Sequence, residues 1–446
     1  MNFVQITPGA GRMFCGGCLR DNALVAALRQ AGHQALMVPL YLPLTLEEPD
    51  QSEGTPIFFG GINVYLDQKS ALFRRAPNWL HRLLNAPALL KWAAGRTART
   101  RAAEVGDLTL SMIRAEEGNQ ARELDDLIAW LTTQPRPDVI CLSNALLAGF
   151  ARRLKAEWQR PVICLLGGED TFLDGLPGAT RAAAWQTLAE RCADVDLFLP
   201  PSRYYADLMG RRLALRPEQV RLVPDGISLT GFRKSQISNL KSEISSPPVL
   251  GYFSRMCKEK GLDTLVDAYL FLKKRDSGRT LRLHIGGGCG PSDEPFVAEQ
   301  RRKLARAGVL EEVRFFPNVD RAGKIAFYEG LTLFSTPALY GEAFGLYILE
   351  ALAAGVPVVQ PRHASFPELL EATGGGVLCE PGDPKALADA IEGLLREPAR
   401  ARQHAQQGCE AVHKEFSIER MAENVVEAVE QVRARTVMDH KSQQPT

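Results

Sequence analysis

The chain has 446 residues, too many for one ordinary core, so two domains are expected. Apolar residues make up 45% and charged residues 24%, a balance that excludes a disordered or fibrous protein. A net charge of +1 argues against nucleic acid as a general partner, and no apolar run approaches the roughly 18 residues of a membrane span.

The first residues show no basic region followed by a long apolar one, so no secretory leader is expected. Phe3 to Thr7 alternates as a short strand and breaks at Pro8-Gly9-Ala10-Gly11. Gly16 and Gly17 follow as a loop, and then Leu19, Ala23, Leu24, Ala27 and Leu28 recur at helical spacing. Gly32 stops that helix, and Ala35 to Leu40 is an apolar strand. Strand, glycine loop, helix, strand is the unit of a doubly wound parallel sheet. Cys15-x-x-Cys18 has no second ligand pair at zinc spacing and reads as small residues in a tight turn rather than as a metal or redox pair. The other cysteines, among them Cys141, Cys164, Cys192, Cys257 and Cys379, sit in apolar surroundings as reduced thiols of a cytoplasmic protein would.

Between residues 68 and 103 there are eight Lys or Arg residues and no acid, interleaved with Trp79, Leu83, Leu84, Leu89, Leu90 and Trp92. Such a stretch fits peripheral contact with an anionic membrane at its inner face, which would bring in a lipid-linked acceptor. The competing reading is a helical hairpin packed on its own domain with a solvated basic face, the commoner use of amphipathic helices.

Apolar strands then recur at Val139–Leu142, Val162–Leu166 (ending in Gly167-Gly168), Leu197–Pro200 and Val220–Val223. Ser202 is an N-cap for a helix carrying Tyr204, Tyr205 and Leu208. Residues 229–248, rich in Ser and Lys and ending in two prolines, form a linker. Beyond it the strand-helix pattern restarts at Val249–Phe253 and runs to Gly376–Cys379. The expected organisation is a first domain over 1–228, a second over 249–415, a helix over 416–435 packing back toward the first, and a disordered tail over 436–446.

The second domain carries the chemistry in Gly341 to Pro361. Gly345 leaves a helix N-terminus bare for an anion such as a diphosphate, and Glu350 on that helix suits a ribose diol. Glu342, in the preceding loop, would face the group beyond the phosphates. Upstream, a strand end delivers Arg255, and the following loop delivers Lys260, as cations for a departing diphosphate. Gly286 and Gly288 form a glycine run, a weak signal by itself. His284 reads as a core histidine.

Glu342, Phe344, Gly345, Glu350, Ala354, Gly355, Pro357 and Val358 resemble the signature of the retaining glycosyltransferases of family 4. Arg255, Lys260 and Gly261 are similar to that family's Arg-x-x-x-x-Lys-Gly, and Gly16, Gly17, Gly32 and His33 to its first glycine loop and helix. The resemblance implies the GT-B fold, an α/β architecture of two Rossmann-like domains facing a central cleft. It implies a nucleotide-diphosphate-sugar donor, transfer with retention, no metal or other cofactor, and a glycan or lipid-linked acceptor. Arg255, Lys260 and Glu342 would be catalytic, and Glu350, Gly345, Phe344, Gly286, Gly288, Gly16 and Gly17 would bind the donor.

One position departs. Where many members have a His that contacts the donor sugar, this chain has Gly167, followed by Glu169, Asp170 and Asp174. Glu169 and Asp170 are acceptor-side candidates that would orient hydroxyls or take a proton. The other reading is that Asp170-Thr171 caps a helix. A sugar-nucleotide epimerase, another enzyme of this fold, and a non-catalytic nucleotide-sugar-binding protein are the alternative functions.

Overall fold

The computed structural model describes residues 1–9, 15–59, 102–232, 247–275, 278 and 280–442, without the side chains of 102–105 and 436–442. They form two units, Met1–Pro224 with Met421 onward, and Asp225–Arg420. The basic stretch 68–103 lies, up to residue 101, outside the described residues, as does most of the 229–248 linker.

The first unit is built on five parallel strands, β1 (Asn2–Thr7), β2 (Gln34–Pro39), β3 (Val139–Leu142), β4 (Val162–Leu165) and β5 (Leu197–Leu199), in the order β2-β1-β3-β4-β5. Strands β3 and β4 have the same sequence, Val-Ile-Cys-Leu, and every residue of both is buried. Helices cover both faces of a parallel sheet, so its inner strands read as continuous apolar runs rather than alternating ones. The expected strand at Val220–Val223 is reduced to one bridge, between Phe198 and Val220. The helix Ile418–Ser442 passes the expected end at Arg435. Its Met421, Val425, Ala428, Val429 and Val432 are buried, and Glu427 pairs with Arg221 at 3.0 Å.

The second unit holds six parallel strands, β6 (Val249–Phe253), β7 (Arg282–Gly287), β8 (Val313–Pro317), β9 (Leu333–Phe334), β10 (Val358–Pro361) and β11 (Gly376–Cys379), in the order β11-β10-β9-β6-β7-β8. From β6 the chain runs outward through β7 and β8, and it then returns to β9 on the other flank. The winding therefore reverses between β6 and β9. In open α/β sheets the carboxyl ends of the strands at such a reversal frame the ligand crevice. The first unit reverses in the same way between β1 and β3.

Candidate active site

In the second unit, Lys260 follows β6 and Glu342 follows β9, one on each side of the reversal. Their side chains meet at 2.5 Å and are mostly buried. Tyr340 and Tyr347 donate their hydroxyls to the same carboxylate oxygen, Oε2, at 3.2 and 2.9 Å. The Lys260 ammonium lies 4.8 and 5.3 Å from the centroids of these two rings, so each tyrosine holds the cation by its face and the anion by its hydroxyl. Burial, then the charge of Glu342, pushes both phenols up, which keeps them as donors. Three donors thus converge on Oε2, and Oε1 of Glu342 has no partner among the described residues.

Backbone contacts fix this pair. Leu339 N–H donates to the Glu259 carbonyl at 2.9 Å, tying the Lys260 loop to the segment after β9. The fully buried Ser365 hydroxyl lies 2.9 and 3.0 Å from the carbonyls of Glu342 and Phe344.

Arg255 leaves β6 beside the glycine run. Its Nε and Nη2 grip Asp293 at 2.8 to 3.1 Å, and Nη1 is not used in that grip. The hydrogen bonds to Asp293, foremost, hold the guanidinium proton still more firmly than usual. The buried Tyr252 donates its hydroxyl to the Arg255 carbonyl at 2.7 Å. Of the glycines, Gly286 lies inside β7, where a Cβ would meet the Phe253 ring at 2.5 Å, so packing explains it. The turn residue is Gly287, at φ +116°, which the sequence reading passed over. Gly288 accepts Met256 N–H at 2.8 Å and has open space at its Cβ position apart from Arg255.

Gly345 is the N-cap of the helix Leu346–Ala353 at φ +100°, and no side chain caps that end. Glu350 on the same helix accepts Lys324 Nζ at 2.5 Å on one oxygen and Tyr328 Oη at 3.0 Å on the other. Phe344, read as a donor contact, is a buried core residue with its ring 6.1 Å from that of Phe416. His284 packs against Phe316 at 5.1 Å, and its pKa is lowered to about 4 by burial first and then by Arg314 and Arg282.

In the first unit Gly16 and Gly17 are the first turn of the helix Gly16–Gln30, not a loop before it, and Cys15 is its N-cap. Both glycines face open space apart from Cys15 Sγ, 3.9 Å from the Cβ position of Gly17. The Cys15 thiol is lowered to about 6, chiefly by a hydrogen bond from Cys18, whose own thiol is raised by that bond and by burial. The expected tight turn is therefore a helix start. Nearby, the buried Arg20 pairs with Asp21 at 3.0 Å and donates to the Ser143 carbonyl at 2.8 Å, bridging the ends of β1 and β3. Its Nη1 lies 3.5 Å from the Cβ position of Gly167.

Glu169 and Asp170 open the short helix Glu169–Asp174, whose N-cap is Gly168, so neither Asp170 nor Thr171 is its cap. Glu169 is buried and accepts Ala145 N–H at 2.9 Å, Gly167 N–H at 2.8 Å and the Tyr205 hydroxyl at 2.7 Å. Asp170 Oδ1 lies 2.8 Å from the same hydroxyl. Burial first raises both carboxyls above their ordinary values. Ser202 caps the next helix through Tyr205 N–H at 3.1 Å. Among the described residues no three His, Cys, Asp or Glu side chains are grouped to hold a metal ion, and no helix is long and apolar enough to cross a membrane.

The profile of the glycosyl transferases group 1 family matches residues 235–410. Those residues are a group 1 glycosyl transferase domain. Phosphatidyl-myo-inositol mannosyltransferase of Mycobacterium leprae is 34% identical over 182 residues, 38% of this chain and 46% of that protein. D-inositol 3-phosphate glycosyltransferase of Saccharomonospora viridis is 30% identical over 228 residues, 48% of this chain and 52% of that one. The matches span about half the length of these curated relatives. Among solved structures, Anabaena HepE in complex with UDP-glucose superposes with a TM-score of 0.65 at 16% identity, covering 97% of this chain and 100% of that one. Sucrose-phosphate synthase from Thermosynechococcus elongatus gives 0.68 at 19% identity, covering 97% and 99%. The fold is GT-B.

In the glycosyl transferase domain, Lys260 and Glu342 come together, whereas Arg255 and Glu350 each have a partner that sequence reading missed. Asp293 closes the turn that starts at Gly290 and is the N-cap position of the helix Glu294–Arg306, so its local pattern marks a helix start and not a partner for Arg255. Lys324 and Tyr328 did leave a trace. They lie four apart on one helix face, next to Phe327, where a buried Lys requires an anion.

Proposed function

We propose that this protein is a glycosyltransferase that moves a hexose-type sugar from a nucleotide-diphosphate-sugar to a glycan or lipid-linked acceptor, with retention of configuration. The observation that carries the reading is the orientation of Glu342: three donors fix Oε2 and leave Oε1 to accept from a bound sugar hydroxyl. Lys260, beside it, has further ammonium hydrogens for a phosphate oxygen, and Arg255 has Nη1. Glu350, held by Lys324 and Tyr328, supports the reading as the carboxylate for the ribose. Gly345 and Gly288 would leave backbone open to the diphosphate.

The bond from the anomeric carbon to the phosphate oxygen breaks with its electron pair going to the diphosphate, the acceptor oxygen bonds to that carbon, and the acceptor's hydroxyl proton passes to the departing phosphate. Fixed cations that meet this growing charge lower the barrier, and we propose that Arg255 and Lys260 supply them without an obligatory metal. A lipid-linked acceptor would be reached by peripheral membrane contact of the basic stretch 68–103.

The mannosyltransferase name of one relative and the UDP-glucose complex make UDP-glucose and nucleotide-diphosphate mannoses the first donors to test. One of them is expected to raise the melting temperature of the wild type and to be slowly hydrolysed. Lys260→Ala is expected to lose most of both effects, because the ammonium and the anchor of Glu342 go together. A wild type that no donor stabilises, or a variant that responds like the wild type, refutes the reading.

A further inference from the structure

The cluster around Tyr205 holds more acceptors than its visible protons can serve. A phenol has one hydrogen and two lone pairs. Gly168 N–H donates to Tyr205 Oη at 2.8 Å and occupies one lone pair. Glu169 Oε2 lies 2.7 Å from the same oxygen and Asp170 Oδ1 lies 2.8 Å from it. The phenol proton can serve only one of these carboxyls. Two oxygens without a proton between them do not stay at hydrogen-bond distance in a buried site, so the other carboxyl carries the missing hydrogen.

The remaining contacts decide which carboxyl that is. Glu169 receives two backbone N–H donors besides the phenol, one on each oxygen, and Oε2 already accepts Gly167 N–H. Three donors stabilise its anion and leave no place for a proton on Oε2. Asp170 receives backbone N–H donors only from its own helix start, at Asp170 and Thr171, and none from another segment among the described residues. We propose that Glu169 is ionised and accepts the Tyr205 proton, and that Asp170 is a neutral carboxylic acid donating to Tyr205 Oη. Tyr205 and Glu169 are then positioning residues that keep Asp170 protonated at neutral pH.

The surrounding charges do not undo this. Asp174 is neutralised by Arg212 at 2.9 Å. Tyr204, on the helix Arg203–Arg212, is a neutral phenol raised by burial, and Cys164 and Cys192 beside Glu169 are raised thiols. Arg20, near Gly167, is paired with Asp21. Burial raises both carboxyls and so favours one proton on the pair, while the Ala145 and Gly167 N–H donors to Glu169 offset its burial and leave the proton to Asp170.

The functional consequence rests on the glycosyl-transfer reading, whereas the protonation state does not. At the position next to Gly167-Gly168, the acceptor side presents one negative charge rather than two. That suits an uncharged hydroxyl-bearing acceptor, which a second anion would keep desolvated less readily.

Infrared difference spectroscopy of the full chain tests the protonation state without any substrate. At pH 6 to 7, where ordinary carboxyl groups are ionised (roughly pKa 4), a carbonyl band of a protonated carboxylic acid is expected in the wild type. It should shift in heavy water and disappear as the pH is raised further. Asp170→Asn, whose amide can still donate to Tyr205, should remove it, while Asp174→Asn should keep it. A wild type without the band overturns the proposal whatever the variants do. A band that survives Asp170→Asn and vanishes in Glu169→Gln overturns the assignment to Asp170. Once a donor and acceptor are in hand, transfer by the wild type should fall as Asp170 ionises, and Asp170→Asn should lose that alkaline fall. An unchanged fall in Asp170→Asn, with the band already assigned to Asp170, refutes the functional consequence alone.

Discussion

Lys324 and Glu350 show what a carboxylate at a ligand site requires from the protein. The Lys324 side chain is 5% exposed and that of Glu350 15%, so neither charge is well hydrated. Removing one member of such a pair leaves a buried charge alone, which costs roughly 3–5 kcal/mol, although the pair itself adds little net stability. Lys324→Met is therefore expected to lower the urea midpoint by an amount equivalent to about 3 kcal/mol. Adding Glu350→Leu should restore most of the loss. A single variant as stable as the wild type would show that Glu350 finds other support.

His284 gives the second expectation at this scale. Its folded pKa is about 4, depressed from the ordinary 6.5 by burial and two arginines, so the folded state holds the ring neutral. The stability this contributes is present above about 6.5 and is lost as pH falls through the window toward 4. Melting temperatures measured from pH 7 to pH 4 should fall less steeply in His284→Phe than in the wild type. Equal slopes would mean that the ring is hydrated and titrates normally.

At the scale of elements, the alternation of apolar strands and amphipathic helices was legible because strands buried on both faces need long apolar runs. Val-Ile-Cys-Leu at β3 and β4 is the plainest case. Val220–Val223 had the same look and makes only one bridge, because edge position depends on neighbours that composition does not record. The Lys260–Glu342 pair was legible as two motifs but not as a contact, since 82 residues separate them. Arg20, Asp293, Ser365 and Tyr205 were missed for the same reason: each acts through a partner delivered by another strand end. Gly345 was legible because its need is local. At φ +100°, with Ile348 and Phe366 atoms 3.2 and 3.3 Å from a Cβ position, any other residue is strained. Gly345→Ala should lose roughly 1–2 kcal/mol from left-handed backbone strain, and the helix start it shapes should shift. Thermal unfolding and donor-induced stabilisation measured together check this. A variant unchanged in both would show that the N-cap tolerates a Cβ.

At the scale of the whole chain, the first unit is discontinuous: residues from Met421 onward belong with Met1–Pro224 although the chain between them builds the second unit. Met421, Val425, Val429 and Val432 are all buried, and Leu197 and Val220 line one cavity with Ala428 and Val432. Arg221 with Glu427, Asp138 with Arg433, and the Glu218 carbonyl with Arg435 add polar ties along the same helix. Burying each of the four larger side chains is worth at least about 1.5 kcal/mol, or roughly 6 kcal/mol together, and exposed pairs add at most about 1 kcal/mol each. A domain of this kind has only about 5–15 kcal/mol of net stability, so the apolar face of the last helix is a large part of it. A chain ending at Arg420 is expected to keep the second unit folded, because that unit's residues are all retained, while the first unit melts early and binds a hydrophobic dye. Limited proteolysis should then cut within residues 1–224 and spare 247–420. If the truncated chain instead resists protease throughout and melts with the full-length protein, the helix is an attachment to the first unit and not a part of its core.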